Sequence, residues 1–440
     1  MCPYGGKSML KTILNTTTAL AFLTTAAFAE ETPAEVKIGI TAFLSGPASV
    51  FGEPAKAAAE MIIADMNANG GIGGVPVSAT FIDEGAGGEA LLSEYRRLVE
   101  SEGVDAMFAS ISSGNCTKIG PLAEDLKVLN IMWDCGTQTI FEENDFRYSF
   151  RTQANATPEM LSTLLYLLRT KPDFKTIAVV NQDYAWGRDS WAIFSAALQQ
   201  LKPDAQVVAE FFPKFGSPDF STEISRLQAL RPDVILSTSW GGDLDTFVRQ
   251  ASQRGLTNTS TLVLPLGESS LERLGDALPA GHIVGARGDH YFLHPEKIND
   301  PAFVAFVDAF TEKTGDVPTY PVFHVSQALA ALKGAYEKAI ADNGGEWPSD
   351  EQVIDALEGL TFAGLGREVT IREDHQGVED QLLGTTIRVD GYDFALLDNM
   401  MMFDGEPITT PVDQVSSEWL QTLTPAFIDS VPVDTFQHNN

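Results

Sequence analysis

Six short loops carry the residue types that can hold a small polar ligand. They are rich in Ser, Thr, Gly, Asn, Trp and carboxylates, and each follows a segment predicted as a strand. Hydroxyls and backbone amides at strand ends can bind a carboxylate, and an acidic side chain can receive an ammonium. The mixture therefore indicates a site for a small zwitterion or a related solute, built from loops 45–52, 110–116, 134–139, 182–188, 239–243 and 266–270.

Three side chains stand out near these loops. Trp240 comes directly after a predicted strand and before two glycines, where no core needs a large ring, so we expect it to line a site rather than to fill a core. Glu268 follows the apolar segment 261–265 and can face an ammonium; the alternative is a solvated loop glutamate. For Tyr320 the alternatives to ligand contact are packing and a role at a hinge.

Motifs of catalysis and cofactor binding are absent from the sequence. No Gly-x-Gly-x-x-Gly follows a strand, and neither a phosphate-cradling Gly-x-x-x-x-Gly-Lys-Ser/Thr nor a Gly-x-Ser-x-Gly nucleophile turn occurs. His290 and His294 have the spacing of a helical metal pair, but Gly288 and Pro295 disfavour a helix there. We therefore expect a protein that is not an enzyme, with no cofactor and no metal.

The elements that must position these loops alternate between strand and helix. Segments 36–42, 77–83 and 105–110 have the pattern of buried strands, and 54–69 and 88–102 that of helices. The same alternation returns after residue 157. Repeated βα units predict an α/β fold with parallel sheets, enough for two, and in such sheets ligands bind outside the carboxyl ends of the strands.

Length and charge narrow the class of protein further. The 440 residues exceed what one core usually serves, and 44% of them are hydrophobic, so two packed domains are expected. The formal net charge of −31 repels phosphate backbones and anionic lipid. Nucleic acid and membrane surfaces are therefore not expected as partners.

The chain begins with the layout of a secretory signal peptide at residues 1–29. Lys11, an apolar stretch from 13 to 27, and Ala27-Phe28-Ala29 predict cleavage after Ala29 and a periplasmic mature protein. In that oxidising compartment a disulfide between Cys116 and Cys135, each placed after a predicted strand, is plausible; the alternative is two buried thiols.

Several segments, in order, resemble one family of binding proteins. Ile38-Gly39-Ile40, Leu44-Ser45-Gly46-Pro47 and the stretch 64–74 are similar to the opening of periplasmic substrate-binding proteins of the branched-chain amino acid (Leu/Ile/Val) type. Ser112-Ser113-Gly114 and Phe150-Arg151-Thr152 continue the resemblance, which runs from about residue 36 to at least residue 340.

The resemblance implies a type I periplasmic binding protein. Two Rossmann-like lobes, joined by a three-crossover hinge, would close on an amino acid or similar solute and deliver it to the permease of an ABC transporter. Lobe 1 would hold residues 36–153 plus 286–365 and lobe 2 residues 154–285 plus 366–436, followed by a frayed tail at 437–440. A monomer is the default. An aromatic acid, an amide or urea-like solute, and a sensory role stay open as alternatives.

The resemblance also implies roles for site residues. The loop after the third strand would meet a ligand carboxylate, with Ser113 the first choice, and Thr137, 14 residues before Arg151, would help to hold an amino group. Phe51 stands where relatives often have tyrosine. The ligand-binding residues expected on these grounds are Phe51, Ser112, Ser113, Gly114, Asn115, Thr137, Tyr184, Trp186, Trp240, Glu268 and Tyr320.

Overall fold

The computed structural model describes residues 1–5 and 31–438. The predicted signal peptide lies almost wholly outside these residues, and so do Asn439 and Asn440 of the predicted tail, so both remain predictions. Among the described residues, no helix combines the length and the apolar character needed to cross a bilayer.

Two β-sheets form the cores of two lobes, and a small third sheet lies beside the first. The strands in chain order are β1 Val36–Ala42, β2 Val77–Asp83, β3 Ala106–Phe108, β4 Leu129–Met132, β5 Ser149–Arg151, β6 Thr176–Val180, β7 Gln206–Phe211, β8 Val234–Leu236, β9 Thr261–Leu264, β10 Ile283–Gly285, β11 Thr361–Ala363, β12 Glu368–Ile371, β13 Gly377–Val378, β14 Gln381–Ile387, β15 Leu396–Phe403 and β16 Val433–Phe436.

Helices follow most strands and cover the sheets. They are α1 Ser49–Ala68, α2 Gly88–Arg97, α3 Ser113–Leu126, α4 Thr139–Glu142, α5 Ala156–Thr170, α6 Ala185–Leu201, α7 Ser221–Leu230, α8 Gly241–Gln253, α9 Leu271–Leu274, α10 Pro301–Thr314, α11 Tyr320–Asp342, α12 Asp350–Leu357, α13 Ser416–Trp419 and α14 Phe427–Ser430. A π-helical turn, Leu98–Glu102, continues α2.

The first sheet is parallel throughout the described residues, with the order β2-β1-β3-β4-β5. In β1, Val36, Ile38 and Ile40 are all at most 1% exposed because helices cover the sheet. A strand buried in this way has a mostly apolar sequence, which is why β1 was predictable. The bounds predicted for β1 and for the edge strand β2 are those that the structure shows.

The second sheet has the order β16-β15-β14-β10-β9-β8-β6-β7 among the described residues. Strands β6 to β10 are parallel, as expected from the βα units. Strands β14 to β16 are antiparallel. The prediction of parallel sheets is therefore wrong for this edge. Its strands pair antiparallel because the C-terminal segments lack the intervening helices that a parallel connection requires.

The chain crosses between the lobes three times. It leaves β5 for α5, returns after β10 to α10 and α11, which pack on α1, and crosses again from β13 to β14. The small sheet β11-β12-β13 spans the predicted boundary at residues 365 and 366, and Gln376 pairs with Arg151 of β5. Residues 368–378, expected in lobe 2, thus pair with lobe 1 elements; the remaining lobe boundaries stay predictions.

A further expectation concerns the two cysteines. Cys116 and Cys135 form a disulfide with Cα atoms 6.5 Å apart, which confirms the pairing. The bond ties the first turn of α3 to the loop after β4.

The start of the predicted frayed tail is hydrogen bonded. The backbone amide of His438 donates to Asp398 Oδ1 at 2.8 Å.

Candidate functional site

A small cavity lies where the strand-end loops of the two lobes meet. Its volume is only about 10 Å³, enough for about one water molecule. Six residues expected from the sequence lie around it, Phe51, Ser113, Tyr184, Trp186, Trp240 and Tyr320, together with Ile111, Asp134, Gly136, Leu266 and Arg287.

Five of the eleven residues around the cavity are aromatic, and they come from both lobes. Phe51 of α1 contacts Trp240 with ring centroids 5.2 Å apart and Tyr320 at 5.0 Å, both edge to face. Phe43 lies 5.8 Å from Trp240. Because Phe51 belongs to the first lobe and Trp240 to the second, these ring contacts close the cleft. We call Phe51, Tyr184, Trp186, Trp240 and Tyr320 the ring cage.

Hydrogen bonds fix the orientation of the two tryptophans. Trp186 Nε1 donates to the carbonyl of Thr238 at 2.9 Å, and Trp240 Nε1 donates to the Tyr184 hydroxyl at 2.6 Å. Burial raises the pKa of Tyr184 well above its ordinary value. Gly187 lets α6 start this close to its strand, since an added Cβ would lie 1.9 Å from the carbonyl oxygen of Gln182.

Ser113 places a hydroxyl and a helix N-terminus at the cavity. It is the first residue of α3, a helix of 14 residues, and its Oγ accepts a hydrogen bond from the Thr137 amide at 3.2 Å. First-turn amides, such as those of Ser113 and Gly114, have no carbonyl partner within their helix, and the helix dipole favours an anion there. This corner of the cavity can therefore hold a carboxylate. Gly114 itself does not line the cavity.

Ser112 and Asn115 are turned to a different partner. The buried carboxylate of Glu84, directly after β2, accepts from the Ser112 amide at 3.3 Å and from Asn115 Nδ2 at 2.9 Å. It also accepts from the Ile111 amide at 2.6 Å and from Thr41 Oγ1 at 2.7 Å. Glu84 thus holds this loop in shape, and neither Ser112 nor Asn115 lines the cavity.

Thr137 is buried and joins the lobes instead of lining the cavity. Its hydroxyl donates to Asp189 of α6 and lies 2.9 Å from Thr139 Oγ1. Its carbonyl accepts from Arg151 Nη2 at 2.5 Å. The residue that the sequence assigned to a ligand amino group therefore acts as a contact between the loop after β4 and the second lobe.

Glu268 is buried, but it does not line the cavity; Leu266 of the same loop does. Its Oε2 accepts the backbone amide of Tyr320, the first residue of α11, at 2.9 Å. Burial raises the pKa of Glu268 to about 8. The expected ammonium partner thus caps the N-terminus of a helix from the other lobe.

Replacing Glu268 by glutamine tests the burial of this carboxyl while it leaves the cap in place. Gln keeps an oxygen for the Tyr320 amide and removes the titration. A carboxyl with a raised pKa binds its proton more tightly in the folded state, so wild-type stability falls as pH rises from the ordinary pKa of 4.5 to about 8. Chemical unfolding should show wild type losing up to about 1.4 kcal/mol per pH unit relative to Glu268→Gln. If the free energies of unfolding of the two proteins vary with pH in parallel, the pKa of Glu268 is not raised.

Arg287, which sequence reasoning missed, lies at the base of the cavity. Its Nε donates to both oxygens of Glu159 at 3.1 Å, and its Nη1 donates to Asp134. The guanidinium carbon lies 5.0 Å from the centre of the Trp186 ring and 5.4 Å from that of Tyr320. The position two residues after β10 was the available clue, because it puts Arg287 at the ligand-binding edge of the sheet.

The acids around Arg287 are strongly affected by burial. Glu159 is 3% exposed and Asp134 1% exposed. Burial raises the pKa of each to about 7, although Arg287 acts in the opposite direction. Burial alone would lower the pKa of Arg287, but Glu159 and Asp134 outweigh that effect and raise it. The three side chains therefore depend on one another for charge compensation.

His290, His324 and Glu379 are the described residues whose spacing comes nearest to a metal site, with potential ligand atoms within 4.8 Å of one another. They are already hydrogen bonded. Glu379 accepts from the Ala154 amide at 3.0 Å and from Gln327 Nε2 at 2.5 Å, and His324 Nε2 lies 2.9 Å from the Arg287 carbonyl. We interpret the cluster as a link between the crossovers.

Comparison with known proteins places this geometry in a family. The sequence profile described as "Periplasmic binding protein" matches residues 35–389. Leu/Ile/Val-binding protein homolog 7 of Brucella abortus (strain 2308) is 27% identical over 314 residues, which cover 68% of this chain and 76% of that protein.

Solved structures agree on the fold. A solute-binding protein of an ABC transporter from Rhodopseudomonas palustris BisB5, in complex with 3,4-dihydroxybenzoic acid, has a TM-score of 0.73 at 20% identity and covers 87% of this chain and 100% of its own. An amino acid ABC transporter substrate-binding protein from Pseudomonas fluorescens Pf-5 has a TM-score of 0.70 at 18% identity, with 85% and 96% covered. With the profile match over most of its length, the chain belongs to the periplasmic binding protein family.

Proposed function

We propose that this solute-binding protein captures a small aromatic carboxylate between its lobes and delivers it to the permease of an ABC transporter, without covalent chemistry. The ring cage, open at one corner to the N-terminus of α3, is the observation that carries the proposal. Flat rings stack and pack edge to face with aromatic walls, and a carboxylate suits helix amides and a hydroxyl.

The walls of the cavity favour an aromatic acid over an aliphatic amino acid. Aliphatic side chains would gain less from five rings than an aromatic ring would. The acid expected to receive an ammonium, Glu268, is engaged with the amide of Tyr320. Relatives of known structure support the proposal: one R. palustris protein is in complex with 3,4-dihydroxybenzoic acid and another with benzoate.

Entry of such a ligand requires the cleft to open, because a cavity of about 10 Å³ cannot contain a benzene ring. The contacts that must separate are those that join the lobes. They include the Gly242 amide donating to the Pro47 carbonyl at 3.3 Å, the Thr137 hydroxyl donating to Asp189, and the contact between Phe51 and Trp240. Ligand contacts made to both lobes at once would then shift the population back to the closed form.

Three finer points belong to the same proposal. The layout of residues 1–29 supports export and cleavage after Ala29, and the confirmed disulfide fits an oxidising compartment. Family membership supports delivery to a permease. A monomer is the simplest state for a receptor whose site is completed by two lobes of one chain.

A thermal-shift panel on the mature protein tests the proposal. A ligand that binds only the folded state raises the melting temperature, and at equal concentration the tighter ligand raises it more. We expect shifts with benzoate-type acids and none with leucine, isoleucine, valine, benzamide or urea at equal concentration. Shifts confined to the aliphatic amino acids would show that the ligand is an amino acid. Shifts confined to benzamide or urea would show that the ligand carries no carboxylate.

A further inference from the structure

We propose that Asp134 receives a hydrogen-bond donor of the ligand, so that the ligand is an aromatic acid bearing a hydroxyl or an ammonium group. This inference rests on the proposed function and narrows its substrate class. The sequence pattern included Asp134 in the candidate loop 134–139, but neither that pattern nor the family resemblance named it as a ligand-binding residue.

One oxygen of Asp134 is unused although the residue is almost fully buried. Asp134 follows β4, is 1% exposed and lines the cavity. Its Oδ1 accepts from Arg287 Nη1 and lies 2.9 Å from His324 Nδ1. Its Oδ2 has no hydrogen-bond partner among the described residues. A buried carboxylate oxygen without a partner is rare in folded proteins and points to a missing donor.

The neighbouring histidine determines what Oδ2 can do. His324 Nε2 lies 2.9 Å from the Arg287 carbonyl oxygen, which can only accept, so Nε2 carries a hydrogen. The 2.9 Å contact between His324 Nδ1 and Asp134 Oδ1 then requires one proton between those two atoms. Whichever atom holds that proton, Oδ2 keeps its lone pairs. Asp134 therefore offers the cavity an acceptor in either case.

The local charge favours a donor over a second anion. Arg287 is balanced by Glu159, and Asp134 and His324 share one proton, so this part of the cavity has no free positive charge. A ligand carboxylate is better placed at the N-terminus of α3, beside Ser113. A hydroxyl or ammonium elsewhere on the same ligand would meet Oδ2 and replace the single water that the cavity can hold.

Matched ligand pairs test the inference on the wild-type protein by calorimetric titration. Benzoate is compared with 3- and 4-hydroxybenzoate, and 3-phenylpropionate with phenylalanine, because the members of each set differ only in a donor group. We expect the donor-bearing member of at least one set to bind at least tenfold more tightly. If the donor is a hydroxyl, the affinity difference will appear between benzoate and the hydroxybenzoates. If it is an ammonium, the difference will appear between 3-phenylpropionate and phenylalanine.

Asp134→Asn then identifies the residue responsible. With the amide oxygen held by Arg287, its NH₂ group takes the place of Oδ2, so the preference for a donor should disappear while benzoate affinity reports an intact cavity. Asp243→Asn is the control, since Asp243 is also buried but bonds Gln182 and the Gly216 amide outside the cavity. Its preference should match the wild type.

The possible results separate the two proposals. Binding of benzoate with no donor preference overturns the role of Asp134 and leaves the proposed function standing. A preference that persists in Asp134→Asn also overturns it. If Asp134→Asn does not fold, the ligand pairs on the wild type decide. Absence of binding by every aromatic acid would reject the proposed function, and this inference with it.

Discussion

Arg287→Met is expected to lower the free energy of unfolding by about 3–5 kcal/mol at pH 8, the usual range for removing one partner of a buried ion pair. The loss arises because Glu159 and Asp134 would remain in the interior without their cation. Methionine is a suitable replacement, since it retains most of the length and packing of the arginine stem. Urea unfolding followed by circular dichroism gives the measurement.

The deficit should depend on pH. In wild type the pKa of Asp134 and that of Glu159 are about 7, and removing Arg287 raises both. A carboxyl with a raised pKa binds protons more tightly in the folded state, so the stability of the variant continues to fall with rising pH where that of wild type levels off. The difference between the two proteins should be smaller at pH 5 than at pH 8.

Arg147→Met is the matched control. Arg147 contacts Glu351, Asp355 and Glu358, but its side chain is 37% exposed. Exposed pairs of this kind contribute about 0–1 kcal/mol. Equal losses in the two variants, or a loss at Arg287 that does not vary with pH, would contradict the interpretation of Arg287 as the charge compensator of a buried cluster.

Trp240→Ala is expected to weaken ligand binding at least about 30-fold, which corresponds to the 2 kcal/mol or more typical of a buried aromatic hot spot. The Trp240 ring belongs to the second lobe and contacts the rings of Phe51 and Phe43 in the first. Its loss also leaves the Tyr184 hydroxyl without the donor that now lies 2.6 Å away. Titration with the tightest benzoate-type ligand measures the effect.

A second tryptophan controls for general destabilisation. Trp191 lies on α6, is 6% exposed and stacks on Phe194 with ring centroids 6.2 Å apart, but it does not line the cavity. Trp191→Ala should lower stability and leave the dissociation constant within about threefold of wild type, below the 1.4 kcal/mol that a tenfold change requires. If both variants bind like wild type, the ring cage is not the site.

The architecture was predictable because its determinants are local. Apolar strands between amphipathic helices specified the βα order, and several bounds agree with the structure. One helix start was predicted too late, since α1 begins at Ser49 and not at residue 54. The reason lies in tertiary packing: Gly52 allows the backbone of α1 to approach the carbonyl of Phe43 directly, and no propensity rule records such an approach.

Strand-end position predicted part of the candidate site. Ser113, Trp186 and Trp240 follow strands and lie at the cavity. The ion pair between Arg287 and Asp134 joins residues that are 153 positions apart, and the pair between Arg287 and Glu159 joins residues 128 positions apart. No spacing rule predicts pairs at such separations. Glu268 is the opposite case. It follows β9, as a ligand contact would, but its carboxylate accepts a hydrogen bond from the N-terminus of α11 instead.

The most direct test of the central claim is a calorimetric titration of the mature protein with benzoate and, separately, with leucine. We expect one site per chain for benzoate with a micromolar dissociation constant, about −8 kcal/mol, and a negative heat-capacity change from ring burial. For leucine we expect no heat of binding. Tight binding of leucine with none of benzoate would show that the protein is not a receptor for aromatic carboxylates.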